Sequence, residues 1–156
     1  MVRSRVQAML ASQVQGVLAT VGRNLAPATA LMAFATNRDS SVVYLATHVA
    51  ARKALNMLER PTVSLLWDNR TGNLADHGEG VLVTAGGVAA LLPAAGEDAQ
   101  VARASFEAKN PNMARFLATD GVGLFAVTVD EYEVVVGYER PQAWVPSGVR
   151  PGEDAG

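Results

Sequence analysis

Cysteine is absent from the 156 residues, which excludes disulfide bonds, thiol catalysis and metal sites with cysteine ligands. A large excess of charge is absent too: the formal net charge is −2, so composition indicates no broad basic surface for nucleic acid. No stretch reaches the roughly 18 apolar residues of a membrane-spanning helix. Polar residues also interrupt the N-terminal segment too often for a signal peptide. We therefore expect a cytoplasmic protein that binds neither nucleic acid nor a membrane.

The residues that are present fit one globular domain. Hydrophobic residues make up 49% and charged residues 18%, and the length suffices for a core without covalent staples. We place the domain at residues 1–140. Residues 141–156 are rich in proline and glycine and are expected to form a loosely ordered tail.

Alternating and β-branched segments predict about six strands. They are GVLATVG, LAPATALMAFAT, SVVYLAT, TVSLLWD, EGVLVTAGGVAALLP and GVGLFAVTVDEYEVVVGYE. Turn signals at 22–24 and 37–40 join the first three strands in an antiparallel meander. Gly86-Gly87 inside the fifth indicates a bulge or a close backbone approach. Helical spacing occurs in 3–14, after Val49, in EDAQVARASFEAKN and in NPNMARFL. The expected fold class is α+β, mainly β: a small antiparallel barrel with short helices.

The helix that begins near Val49 has a predicted buried face. The spacing i, i+3, i+4, i+7 assigns to it Ala51, Ala54, Leu55 and Leu58. Arg52, Asn56 and Glu59 fall outside that face, and Pro61 ends the helix.

The same helix carries two cations, Arg52 and Lys53, where acidic residues are favoured because free N–H groups make a helix start electropositive. Either they lie in water as a solvated cationic face, or they hold an anion. Thr47, followed by His48, adds a hydroxyl donor just before the helix. A phosphate there would gain from the helix N–H groups, the guanidinium fork and the ammonium.

A second candidate is WDNRTGN at the end of a strand. Trp67, Asp68, Asn69 and Arg70 could line the mouth of a pocket, because binding residues often lie on loops of a rigid scaffold. The same residue types also favour a simple turn. No metal site is predicted, since His48 and His77 have no ligand partner at metal-binding spacing. The residues indicate no catalytic side chain.

From about Gly16 to Tyr138 the chain resembles the FMN-binding split barrels, the pyridoxamine 5′-phosphate oxidase-like proteins. The resemblance rests on the order GVLATVG, VVYLAT, ARKALNMLERPTVSLLWDNR and two long strands. One subgroup of the family resembles this chain in two further features: a DNR motif after the VSLL strand and a Phe-Leu segment after a helix, here PNMARFLATD. The resemblance implies a six-stranded antiparallel split barrel, a homodimer, and FMN at the subunit interface. It also implies that Arg52, Lys53 and Thr47 bind the flavin phosphate.

Three features of the family's oxidases are missing. No arginine occurs between Pro27 and Phe34, residues 80–82 are Gly-Val-Leu where a glutamine or arginine is usual, and ERPQAWVP lacks an Arg-x-His element. We therefore do not expect a true pyridoxamine phosphate oxidase.

The expected function is a flavin-dependent oxidoreductase that acts on an unknown small molecule, with Asn69 and Arg70 on the flavin ring edge. One alternative ligand is the deazaflavin F420, whose phosphate-bearing tail could use the same cradle. Another is haem, with His48 and His77 as the possible axial ligands. A third possibility is a non-catalytic dimeric barrel that has lost its cofactor.

Overall fold

The computed structural model describes residues 1–146. Its strands are β1 (Gln15–Val21), β2 (Pro27–Thr36), β3 (Val42–His48), β4 (Thr62–Asp68), β5 (Val81–Leu91), β6 (Val122–Val136) and β7 (Gln142–Trp144). Its α-helices are α1 (Val2–Ser12), α2 (Arg52–Glu59), α3 (Asp76–Glu79), α4 (Glu97–Lys109) and α5 (Ala114–Leu117). Short 3-10 turns occupy Arg23–Leu25 and Pro111–Met113. Within this part of the chain, no helix is both long and apolar enough to cross a bilayer.

Strands β1 to β6 form a closed antiparallel barrel. Neighbouring strands follow the order β3-β2-β1-β4-β5-β6, and β6 also pairs with β3, which closes the circle. Every one of these pairings is antiparallel. The predicted fold class, a six-stranded antiparallel split barrel with short helices, is therefore confirmed.

The hydrophobic residues form two cores on opposite sides of the barrel wall. Alternate side chains of each strand point inward, and Leu45, Leu65 and Phe125 belong to the interior core. A second core lies outside, where Phe106 of α4 and Leu117 of α5 pack against β2, β3 and β6. Because β3 is covered on both faces, its central residues are all buried, and its sequence is a continuous apolar run.

The glycine pair in β5 makes a bulge, as predicted. The register between β5 and β6 shifts between Gly86 and Gly87. A Cβ atom at Gly87 would overlap the carbonyl oxygen of Thr128, whereas Gly86 has open space around its Cα. Both readings of the pair, bulge and close backbone approach, are confirmed at neighbouring positions.

The predicted buried face of α2 is wrong in part. Leu55 and Leu58 are 49% and 51% exposed, while Asn56 and Met57 are buried together with Ala54. The helix has only eight residues, and its contacts with β1 and β5 fix which side faces the barrel. A buried hydrogen bond from Asn56 also removes the cost of burying an amide, so the polar residue lies inside and two leucines lie outside.

The expected loose tail is also wrong for three residues. Gln142–Trp144 form β7, which pairs with β6. The Trp144 ring stacks on Tyr132 with ring centroids 5.4 Å apart and an interplanar angle of 15°. The guanidinium carbon of Arg3 in α1 lies 5.9 Å from the Trp144 ring centre. Aromatic contact therefore holds a segment whose local sequence indicates a coil; residues 147–156 lie outside the described residues.

Candidate functional site

The two candidate cations occupy the first two positions of α2. Arg52 begins the helix after Ala51, which supplies no side-chain cap, and the first turn contains no acidic residue. The free N–H groups of the first turn and both cationic side chains therefore lie together. Within residues 1–146, neither Arg52 nor Lys53 forms an ion pair.

Two adjoining clefts lie beside this helix start. The large cleft has a volume of about 450 Å³ and is lined by Gly22, Arg23, Ala26, Pro27, Ala28, Ala50, Arg52, Leu55, Asn56 and Glu59. The small cleft has a volume of about 190 Å³ and is lined by Leu18, Thr20, Ala28, Thr29, Ala30, Ala51, Arg52 and Lys53. Arg52 and Ala28 line both, so we call the pair the α2 groove. An anion in the small cleft would contact both cations, and the large cleft would surround a mainly apolar group.

Asn56 is a residue of the groove that the sequence did not reveal. Its Nδ2 donates a buried hydrogen bond of 3.0 Å to Oγ1 of Thr20 in β1. Thr20 is 3% exposed and lines the small cleft, and its hydroxyl can still donate a hydrogen bond of its own. The sequence does contain a signal for this contact. Thr20 lies in the alternating row of β1 that faces inward, and a buried hydroxyl needs a polar partner from another element.

Thr47 and His48 lie on opposite faces of β3. Thr47 is 3% exposed, in the alternating row that points into the barrel, and its hydroxyl is 3.4 Å from the carbonyl oxygen of His48. The exposed His48 ring meets Phe116 of α5 edge-on, with centroids 5.5 Å apart. Neither side chain lines the α2 groove.

Trp67 does not lie at the mouth of a pocket. Its side chain is 1% exposed in the interior core, 5.2 Å from the Phe34 ring centre. The indole packs against Gly16, where a Cβ atom would overlap it. Its Nε1–H has no acceptor within the described residues. The tryptophan therefore fills the barrel, and the prediction of a pocket-mouth role is corrected.

The side chains of Asp68, Asn69 and Arg70 make local contacts at the end of β4. Oδ1 of Asn69 accepts a 2.7 Å hydrogen bond from the backbone N–H of Val81, which joins the end of β4 to the start of β5. The exposed Nε of Arg70 forms an ion pair of 3.0 Å with Asp68. These contacts are those of a turn, but the Arg70 side chain is 68% exposed and free to meet a second molecule.

The loop that follows is organised by Asp76. Its carboxylate accepts hydrogen bonds from the backbone N–H groups of Thr71 and Gly72 and from the Thr71 hydroxyl. The Thr71 bonds, chiefly, hold the pKa of Asp76 below its usual value. His77 next to it is exposed. Across residues 1–146, no three histidine, aspartate or glutamate side chains are grouped to hold a metal ion.

The register separates the two candidate sites within one chain. Val17 of β1 pairs with Leu66 of β4. Because the two strands are antiparallel, Asp68, which follows Leu66, lies near the start of β1. Thr20 and the α2 groove lie toward the other end of β1. From the start of β1 at Gln15 to Thr20 the strand advances by five residues, which corresponds to roughly 16 Å. Arg52 and Arg70 of one chain are therefore not neighbours in a single pocket.

Solved structures share this fold. The haem-binding protein from Mycobacterium smegmatis superposes with a TM-score of 0.81 at 18% identity, over 93% of this chain and 58% of that one. HutZ, the haem storage protein from Vibrio cholerae, superposes with a TM-score of 0.70 at 17% sequence identity, over 92% of this chain and 93% of HutZ. General Stress Protein 26 from Bacillus anthracis superposes with a TM-score of 0.67 at 22% sequence identity, over 92% of this chain and 98% of that protein. The chain thus spans just over half the length of the first of these structures. At such identities the likeness establishes the fold alone.

The sequence comparison is more specific. No curated protein matches the sequence. The family model described as pyridoxamine 5′-phosphate oxidase matches residues 2–135, which is most of the chain and includes β1 to β5 and nearly all of β6. The chain therefore belongs to the pyridoxamine 5′-phosphate oxidase family.

Proposed function

We propose that the chain binds FMN through its phosphate at the start of α2 and is a flavin-dependent oxidoreductase for a small molecule. One observation carries the proposal: Arg52 lies on the wall shared by the two clefts, with Lys53 beside it and no acidic residue in the first turn. Cations without carboxylate partners, beside free helix N–H groups, favour a phosphate.

The donor set of the α2 groove fits a flavin phosphate. Arg52 would supply a fork for two oxygens, Lys53 a point charge, and the hydroxyls of Thr20 and Thr29 further donors. The larger cleft, about 450 Å³, has the size typical of small-ligand pockets and is lined mainly by small apolar residues. When bound, FMN would supply hydride and electron transfer, and the chain would position it and exclude water.

Pyridoxamine phosphate oxidation is not proposed. The stretch of β2 that lines the small cleft is Ala28-Thr29-Ala30, with no arginine. The phosphate would therefore meet two cationic side chains of this chain, and small side chains leave room next to it. We infer a substrate other than pyridoxamine phosphate, because ERPQAWVP also lacks the Arg-x-His element.

We place Asn69 and Arg70 on the flavin ring edge of a partner's groove. Their position beyond the opposite end of β1 separates them from Arg52 of their own chain. A homodimer with the flavin between subunits would bring Arg70 of one chain toward the groove of the other. The cofactor-binding roles expected for Thr47 and His48 remain predictions, because neither residue lines the α2 groove.

The outer face of the barrel supports this dimer. Leu31 of β2 is 67% exposed, and its neighbour across the sheet is Val17, which also pairs with Leu66. Val88 of β5 is 44% exposed. Exposed apolar side chains on the outer face of a sheet are typical of an interaction surface, and an isologous dimer would cover the same surface of both subunits.

A titration of FMN fluorescence tests the proposal. The purified, cofactor-stripped protein is expected to quench FMN fluorescence on binding, and Arg52→Ala/Lys53→Ala to weaken binding by about 2–4 kcal/mol, the scale of lost charged hydrogen bonds. Arg5→Ala is the control, because Arg5 is an exposed cation of α1 that lines neither cleft of the α2 groove. Unchanged affinity in the double variant, or no binding by the unmodified protein, contradicts the proposal.

Haem and F420 are the alternative ligands. Two of the similar structures are named as haem-binding or haem-storage proteins, and the exposed His48 ring next to Phe116 is a possible axial ligand. Haem binding that His48→Ala abolishes, without FMN binding, would favour that function. F420 binding that requires Arg52 and Lys53, again without FMN binding, would favour a deazaflavin enzyme.

A further inference from the structure

A third cleft shares no lining residue with the two clefts of the α2 groove. Its volume is about 500 Å³, and it is lined by Gln7, Leu10, Ala11, Ala35, Thr36, Asn37, Arg38, Ser40, Ser105 and Lys109. We call it the α1–α4 cleft, because α1 and α4 form two of its walls. Its lining contains two cations and several hydroxyl or amide groups but no carboxylate.

The ammonium group of Lys109 has an unusual environment in this cleft. Its Nζ donates a hydrogen bond to the carbonyl oxygen of Leu10 in α1 and lies 3.4 Å from the Phe34 ring centre. No ion pair joins Lys109 or Arg38 to a carboxylate within residues 1–146. The nearby Asp39 carboxylate, in the turn beside Arg38, accepts from the N–H and the hydroxyl of Ser41.

These contacts suit a neutral amine as well as an ammonium ion. A neutral amine has two N–H bonds, which match the carbonyl oxygen of Leu10 and the face of Phe34. The remaining position on the nitrogen carries the lone pair, and Lys109 lines the cleft. Burial lowers the pKa of Lys109 to about 8, because no anion offsets the desolvation of its charge. Lysines become nucleophiles in such surroundings.

We propose that the α1–α4 cleft is an acylation site that takes small acyl phosphates, with Lys109 as the acyl acceptor and Arg38 as the anchor of the phosphate. Arg38, in the turn between β2 and β3, presents an exposed guanidinium to the same cleft. The hydroxyls of Ser40 and Ser105 line the cleft between α4 and the β2–β3 turn.

The step balances without another reactant. The lone pair of Nζ attacks the carbonyl carbon, a C–N bond forms, and the C–O bond to phosphate breaks. The proton of the amine leaves with the phosphate, and the product is an uncharged amide on Lys109. That amide no longer places a cation over Phe34, although its N–H can still donate to Leu10. Acylation would therefore weaken the attachment of α4 to the barrel.

Acetyl phosphate is the probe, with peptide mapping by mass spectrometry as the readout. The chain has two lysines, Lys53 and Lys109, so the sites are easily separated. At about pH 7.5, lowering the pKa of an amine from 10.5 to about 8 increases its neutral fraction by a larger factor than it decreases its nucleophilicity. We therefore expect acetylation about tenfold faster at Lys109 of the folded protein than in a synthetic peptide of residues 104–114. A rate no faster than in the peptide would overturn the proposal.

An Arg38→Gln variant tests the anchor. It is expected to slow acetylation of Lys109 by acetyl phosphate severalfold and to leave acetylation by the uncharged p-nitrophenyl acetate unchanged. Arg60→Gln, far along the chain in an exposed ion pair, serves as the control and is expected to change neither rate. The anchor is refuted if Arg38→Gln has no effect with acetyl phosphate, or slows both reagents equally.

Discussion

At the scale of single residues, the α2 groove depends on one buried polar pair. The hydrogen bond from Asn56 to Thr20 fixes the side of α2 that faces β1, and Arg52 lies one turn before Asn56 on the same helix. A buried amide or hydroxyl without its partner costs about 1–3 kcal/mol, whereas removal of both partners by apolar groups of similar shape is close to neutral.

The pair can be measured by a double-mutant cycle. We expect Asn56→Leu and Thr20→Val each to lower the free energy of unfolding by about 1–3 kcal/mol, because each leaves a buried polar group unpaired. The double variant is expected to lose less than the sum of the two. Urea unfolding provides the measurement. Strictly additive losses would show that the two side chains do not stabilise each other.

Lys109 gives a prediction for the pH dependence of stability. Its pKa is lowered by burial to about 8 from 10.5 in the unfolded chain, so between these values the unfolded state binds more protons. The contribution of Lys109 to the free energy of unfolding should therefore rise between pH 8 and pH 10.5 and be constant below pH 8.

The comparison with Lys109→Met isolates this group. Burial raises the pKa of Tyr132 above its usual value, so tyrosine ionisation affects stability in the alkaline range as well. That contribution is present in both proteins and cancels in the difference between their unfolding free energies. A difference that does not change between pH 8 and pH 10.5 would contradict the assigned pKa.

Residue-level roles were only partly predictable from the sequence. Arg52 and Lys53 were found because cations at a helix start conflict with a local preference. Asn56 was missed, since the face that an eight-residue helix turns inward depends on tertiary contacts. Trp67 was placed wrongly, because its N–H suggested a polar role and only the absence of a side chain at Gly16 reveals room for the indole.

At the scale of elements, β5 owes its shape to two glycines with different roles. Gly87 approaches the backbone of Thr128, and Gly86 precedes it at the shift in register. The sequence indicated this bulge because two glycines inside a strand have no packing role of their own. Strand β7 was not predictable, since three residues carry no periodicity and ring stacking with Tyr132 holds them.

The two glycines can be separated by matched substitutions. Gly87→Ala is expected to lower the free energy of unfolding by about 1–3 kcal/mol, the cost of overpacking, because its Cβ would overlap the Thr128 carbonyl oxygen. Gly86→Ala, with open space around it, should have a much smaller effect. Thermal or urea unfolding compares them. Equal losses would show that the bulge, and not the close approach, sets the requirement.

At the scale of the whole molecule, the barrel has one side covered by helices and one side with exposed apolar residues. Helices α4 and α5 cover β3, β6 and the C-terminal part of β2, while Leu31 and Val88 stay exposed. The six strands were predictable because alternation and turn residues act locally. The uneven covering was not, because it depends on where the helices return in space.

The exposed side predicts the oligomeric state. Leu31→Glu is expected to convert a dimer into a monomer, because it would place a charge in an apolar interface. Val101→Glu is the control: Val101 is 54% exposed on α4, away from Leu31 and from the loop that carries Arg70. Sedimentation velocity distinguishes the species. If Leu31→Glu has the same mass as the unmodified protein, the face around Leu31 is not the interface.

The central claim, that a flavin phosphate binds at the start of α2, is tested most directly by calorimetric titration with FMN and with riboflavin. Riboflavin has the same ring and lacks the phosphate. We predict that FMN binds the unmodified protein more tightly by about 2–4 kcal/mol. The advantage should disappear in Arg52→Ala/Lys53→Ala. Equal affinities for the two ligands, or an FMN advantage that survives the double substitution, would contradict the account.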